Sequence, residues 1–143
     1  MISLTSEQIV NKVREFKGTP FHHTGRIKGV GIDCIGLVVC TFQELGVDVD
    51  DVVNYSESGD YFEVLAGSVA KYAKNSNRKN MHAGDIVLFR SDDMYNHVAI
   101  ATSPTRFIHA YNSGTFKKVV ELELTDYWAT RVRSLWEYRG LTK

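Results

Sequence analysis

The hydrophobic period changes once, at Gly84. Before it, apolar residues recur at the three- and four-residue steps of helices. After it come short β-prone runs at 85–89, 97–101, 106–111, 118–124 and 131–136, separated by turn residues. Helices first and strands second predict an α+β domain, with N-terminal helices packed on one side of an antiparallel sheet. At 143 residues the chain is near the commonest domain size and is expected to be a single domain over 1–143.

Three helices are expected ahead of the strands. The first starts at Thr5, with Gln8 as capping-box partner and Leu4 stapled to Ile9, and runs to about Lys17; Ile9, Val10, Val13 and Phe16 form its stripe. The second follows Asp33 as N-cap, buries Ile35, Val38, Val39, Phe42 and Leu45, and stops at Gly46. The third covers 60–75, with Asp60 as N-cap, Glu63 as its partner, and Phe62, Leu65, Val69 and Tyr72 on one face. Residues 18–31, with four glycines and a proline, read as a loop in which His22 and His23 are solvated. Asp48, Asp50 and Asp51 read as a solvated turn, because the alternating ligands of a calcium loop are missing. Tyr127, Trp128, Trp136 and Tyr138 are expected in the core.

Seventeen basic residues balance seventeen acidic ones, so no net field favours nucleic acid, and no apolar run is long enough to span a bilayer. No basic segment followed by an apolar stretch opens the sequence. The chain as written is therefore expected to be made in the cytoplasm and delivered by another route. Cys34 and Cys40 are six residues apart on one helix, about 240° around its axis, which argues against a disulfide. Cys40 reads as a packing residue.

Cys34 reads as a nucleophile. It opens a helix, where unpaired backbone N–H groups and the dipole stabilise a thiolate, so a lowered pKa is expected. The plain alternative is a small buried hydrophobe. His97 and His109 bracket a turn at 103–105; a hairpin centred on 103 would make them cross-strand partners on one face. Such a pair suits cysteine catalysis, His97 as base and His109 as its orienter. The same three residues could instead bind zinc, although the short-spaced ligand pairs usual for structural zinc are missing.

Gly-Ile-Asp-Cys-Ile-Gly-Leu-Val, Ala-Gly-Asp-Ile-Val-Leu-Phe, Asn-His-Val-Ala-Ile-Ala and Phe-Ile-His-Ala-Tyr occur in this order. Together they resemble the NlpC/P60 family of papain-like cysteine peptidases, from about Gly18 to Tyr111, and the wording of 18–34 looks most like its phage-tail and gene-transfer-agent branch. The resemblance implies a papain-like fold and hydrolysis of peptidoglycan stem peptides, typically between D-glutamate and a diamino acid, with no metal or organic cofactor. It places a catalytic Cys-His-His set on Cys34, His97 and His109. It gives Asp33 a part in holding the substrate's free amine. Ile35 stands where the family often has serine, and Phe21 where it often has tyrosine, which puts both among the substrate contacts. The branch implies phage tail proteins as further partners. Two other functions fit the same fold: a tail-assembly or wall-docking module of little turnover, and an acyltransferase or amidase on another substrate.

Overall fold

The structure, a computed structural model, describes Met1–Lys143. Helix α1 (Ser6–Arg14) opens with the expected capping box: the Gln8 amide donates to Thr5 Oγ1 at 3.1 Å, and the Thr5 amide donates to Gln8 Oε1 at 2.8 Å. Strands β1 (Arg26–Ile27) and β2 (Gly31–Ile32) form a small antiparallel ribbon. They are followed by α2 (Cys34–Glu44), α3 (Phe62–Ala70), β3 (Ala73–Ser76), β4 (Ile86–Ser91), β5 (Met94–Ser103), β6 (Arg106–Ser113), β7 (Phe116–Glu123), α4 (Asp126–Ala129) and β8 (Val132–Tyr138). The six-stranded sheet has the order β3-β8-β4-β5-β6-β7, and every pair is antiparallel. This is the α+β arrangement expected from the change of period. No helix is long and apolar enough to cross a membrane.

The sheet is covered on both faces, which is why β4 is apolar without alternation from Ile86 to Phe89. Ile86 and Leu88 face the larger core, with Val98, Ile100 and Ile108, against Ile9, Val13, Phe16, Leu37 and Phe42 of the helical layer. Val87 and Phe89 face the opposite side, where Ala99, Phe107, Leu135 and Trp128 of α4 close a smaller core. Helix α2 is buried at every residue from Ile35 to Phe42, as a helix apolar all round must be. It ends at Glu44, and Gly46, just past the Leu45 C-cap, has a φ of +90° that favours glycine.

Several local expectations differ from the structure, beginning with the first helix, which ends at Arg14 rather than about Lys17. The 18–31 stretch carries the β1-β2 ribbon rather than an unbroken loop. The third helix stops at Ala70 instead of about 75, because 73–76 pair with β8, from Ala73 opposite Tyr138 to Ser76 opposite Leu135, and tertiary pairing overrides a weak helical tendency. Tyr61, not Asp60, is the N-cap of α3; the Asp60 carboxylate accepts from the Phe62 amide at 3.2 Å and pairs with Arg90 at 2.8 Å. Of the C-terminal aromatics, Trp128 and Tyr138 are core, Trp136 is partly buried, and Tyr127 is exposed.

Candidate active site

Asp33 caps α2 through its carboxylate, which accepts from the Gly36 amide at 2.8 Å and puts Cys34 at the first helical position. The half-buried Cys34 opens onto a cleft of about 1130 Å³, mouth included, which it shares with Phe21, Glu57, Tyr61, Asn96 and His97. The Cys34 thiol donates to the Asn96 carbonyl, Sγ to O 3.6 Å. His97, the next residue on β5, is buried, and its Nε2 lies 2.7 Å from Nδ1 of the fully buried His109 on β6. With Nε2 engaged, Nδ1 is the only ring nitrogen of His97 free to take a proton from the thiol. Cys34, His97 and His109 do not form a metal-holding cluster.

The histidines meet by a different register from the one expected. In the β5-β6 ladder Ile100 faces Ile108 and Ala101 faces Phe107, around a two-residue turn at 104–105. Extended outward, that register sets His97 opposite Tyr111 and His109 opposite Ala99. The two rings are therefore diagonal neighbours on one face, within reach for aromatic side chains. That face is an aromatic box. Trp128 stands edge-on to His109 with ring centroids 5.0 Å apart, Tyr111 stacks on it at 4.9 Å, and Phe107 closes a third side at 4.9 Å. Nε2 of His109 is buried without a hydrogen-bond partner.

Burial sets the protonation of all three groups. It pushes the Cys34 thiol up to about 12, the Asp33 charge adds to the rise, and backbone N–H bonds and Arg26 oppose it without prevailing. The thiolate expected from the helix start is therefore overridden by desolvation. Burial pulls His97 down to about 4, and burial plus the neighbouring His97 pulls His109 well below its ordinary value. At neutral pH the site is a protonated thiol beside two neutral imidazoles. An unfolded His97 titrates near 6.5 and the folded one near 4, so its contribution to stability is complete above pH 6.5 and is lost as pH falls through 4. Thermal melts from pH 7 to 4 should show a fall on the order of 3 kcal/mol from this group, and His97→Gln should flatten that part of the fall. An equally steep fall in the variant would assign it to other groups.

Asp33 does more than cap. Its Oδ1 accepts from the Gly36 amide and from Arg26 Nη1 at 2.9 Å; its Oδ2 accepts from the Thr24 amide at 2.8 Å and from the Tyr55 hydroxyl. Arg26 continues to Asp51 at 2.9 Å, so Asp51, exposed as expected, also joins this network. Gly36 makes the approach possible, since a Cβ there would lie 2.4 Å from the Gly25 carbonyl oxygen. All four acceptor positions of the buried Asp33 carboxylate are thus filled within the protein. Asp33 also lines the cleft beside Cys34, the position from which the family resemblance gives it a part in holding the substrate amine.

The other expected contacts divide. Phe21 bridges to Ile32 and lines the cleft. Ile35 does not line it; it is buried and faces a separate apolar crevice with Val38, Tyr55, Tyr61 and Leu65. His23, read as solvated, lines the cleft and bonds the Tyr55 carbonyl at 3.1 Å, whereas His22 stays outside. Asn96 and Glu57 were not singled out from the sequence. Asn96 directly precedes a candidate base and opens the Asn-His-Val-Ala-Ile-Ala motif, which is its signal in the sequence; Glu57 lies in a segment with no period at all.

A family model described as NlpC/P60 family matches residues 18–137. The murein DD-endopeptidase MepS/murein LD-carboxypeptidase of Escherichia coli K12 is 29% identical over 126 residues, 87% of this chain. The chain spans 58% of the length of that relative. An NlpC/P60 family protein of Bacillus cereus superposes with a TM-score of 0.72 at 18% identity, covering 96% of this chain and 41% of its own. The peptidoglycan hydrolase RipB of Mycobacterium tuberculosis gives 0.67 at 17% identity, covering 96% and 65%. These likenesses carry the fold.

Proposed function

The chain belongs to the NlpC/P60 family, and on that premise we propose that residues 1–143 act as a cysteine endopeptidase on bacterial peptidoglycan stem peptides. The observation that carries this reading is one cleft holding Cys34 at a helix start and His97 with its Nε2 fixed by His109. In the reaction His97 Nδ1 takes the thiol proton as Sγ attacks a stem-peptide carbonyl, and backbone N–H groups at the start of α2 face the developing oxyanion. The proton passes to the leaving amine, and water releases the acyl-enzyme. No metal or organic cofactor enters the scheme.

The bond between D-glutamate and a diamino acid is the proposed target, following the resemblance of the four ordered motifs to the NlpC/P60 family. Similarity to MepS favours a second target, a D,D cross-link, because that relative is named a DD-endopeptidase. We place the protein in a phage tail or prophage particle, synthesised in the cytoplasm and brought to the wall with tail proteins as partners. A wall-docking module with little turnover is favoured by one observation, the thiol held near 12 and bonded to a carbonyl. Incubation with peptidoglycan of defined stem chemistry, followed by mass spectrometry of released fragments, decides among these. Fragments ending at D-glutamate support the first target and opened cross-links the second. A folded protein that sediments with the wall and releases nothing is the docking module.

A further inference from the structure

We propose that Trp128 is a positioning residue for the catalytic histidines, its indole holding the His97 and His109 rings in their hydrogen-bonded orientation, an inference that rests on the peptidase reading of the cleft. The 2.7 Å bond from His97 Nε2 to His109 Nδ1 fixes where the rings meet but not how each turns about that contact. Ring packing supplies the rest. Tyr111 lies within 16° of parallel to His109, and Trp128 meets His109 edge-on at 87° with centroids 5.0 Å apart. The same indole lies 5.7 Å from His97, tilted by 34°. Phe89, Phe107 and Tyr111 reach these rings from β4 and β6; Trp128 is the aromatic neighbour that reaches both from outside the sheet. At 6% exposure it also keeps water from the bond between them, which a low local dielectric strengthens.

Helix α4 is short, and its place is fixed by the hairpin that carries His97. Arg131, three residues after Trp128, pairs with Asp93 in the β4-β5 turn at 3.2 Å. It also donates Nη1 to the Tyr127 carbonyl at 2.7 Å, its guanidinium stands 3.7 Å from the centre of the Tyr127 ring, and its own carbonyl accepts the Arg90 amide at 2.8 Å. The indole is therefore clasped on both sides in sequence, by Tyr127 and Arg131, to the strands whose side chains it orients. The titratable groups near His97 are Cys34, His109, Tyr111 and the cleft carboxylates Asp33, Glu57 and Asp93, and none leaves when Trp128 is replaced. A substitution there acts on the histidines through packing and water access alone.

The test uses the full chain with Trp128→Leu, Trp128→Phe and a control, Leu135→Ala, in the same smaller core but paired to Val87. All three should melt below wild type. On a soluble stem peptide at pH 7, Trp128→Leu should lose about 10- to 30-fold in kcat with KM nearly unchanged, Trp128→Phe about two- to fivefold, and Leu135→Ala less than about twofold. Nitrogen NMR of the imidazoles reads the pair without turnover. Wild type should hold His97 as one tautomer and titrate it near 4; Trp128→Leu should average the tautomers and move the titration up toward 6.5, because water then reaches the ring. Should Trp128→Leu fail to fold, Trp128→Phe carries the same comparison with smaller shifts. Imidazole signals that match wild type in the folded Trp128 variants overturn the proposal, and so does an unchanged kcat in them or an equal loss in Leu135→Ala. Displaced imidazole signals with no turnover in any form, wild type included, leave Trp128 holding the pair and fell the peptidase reading alone.

Discussion

Cys34→Ala should lower release of stem-peptide fragments by at least about 10⁴-fold while the protein melts within a few degrees of wild type. The nucleophile is the one group of the site whose chemistry no neighbour can supply, since Cys40 points elsewhere and bonds the Arg26 carbonyl at 3.5 Å. The fold should be indifferent. Alanine suits the first position of a helix, the Asp33 cap and its four bonds remain, and what is lost is the sulfur's edge contact with the core and its weak bonds, among them the 3.6 Å bond to the Asn96 carbonyl. Fragment release followed by mass spectrometry measures the first claim and thermal denaturation the second. A variant keeping more than about one per cent of the activity would remove Cys34 from the mechanism. The same thiol should react slowly with iodoacetamide at pH 7, at a rate still climbing above pH 9, because burial holds it near 12. Slow alkylation together with turnover would mean that the proton leaves during attack, not beforehand. Slow alkylation without turnover would support the docking module.

Much of this site was legible because its chemistry lies on regular elements. A cysteine just inside a capped helix and two histidines on neighbouring strands announce themselves through period and spacing, and the structure brings Cys34 and His97 to one cleft and His97 to His109. The register error did little harm. Moving the hairpin centre from 103 to 104 turned facing partners into diagonal ones without changing the face of the sheet, because the shift preserves parity. What stayed hidden is non-local. Asp33 looked like a cap with a spare charge; Arg26, Tyr55 and the Thr24 amide, brought in from 7 to 22 residues away, fill it. The cysteine pKa was read from the helix start, which is local, while its desolvation comes from the packing around it. Ile35 is expected as a contact because it stands where the family often has serine, yet one step along a helix turns a side chain by about 100°, here out of the cleft and into the core.

The two histidines should differ in a fixed order. For His97 Nδ1 to act as a base its proton must sit on Nε2, which then donates to His109 Nδ1 across 2.7 Å. His109 must in turn carry its own proton on Nε2, the buried atom that finds no acceptor and lies within the box of Phe107, Tyr111 and Trp128. Leaving that N–H unpaired costs stability, and the arrangement persists because it fixes the tautomer of His97. His97→Ala removes the base and should cost about 10³- to 10⁴-fold in kcat. His109→Ala leaves the base in place but lets the ring turn and its tautomer exchange, for a loss of about 10- to 100-fold. His109→Gln offers a carbonyl oxygen to the same Nε2–H and should recover part of that loss, which a purely structural role for His109 would not produce. Steady-state kinetics on a soluble stem peptide, with circular dichroism to confirm folding, give the comparison. If His109→Ala proves the more damaging and His109→Gln rescues nothing, His109 is the base and His97 its support.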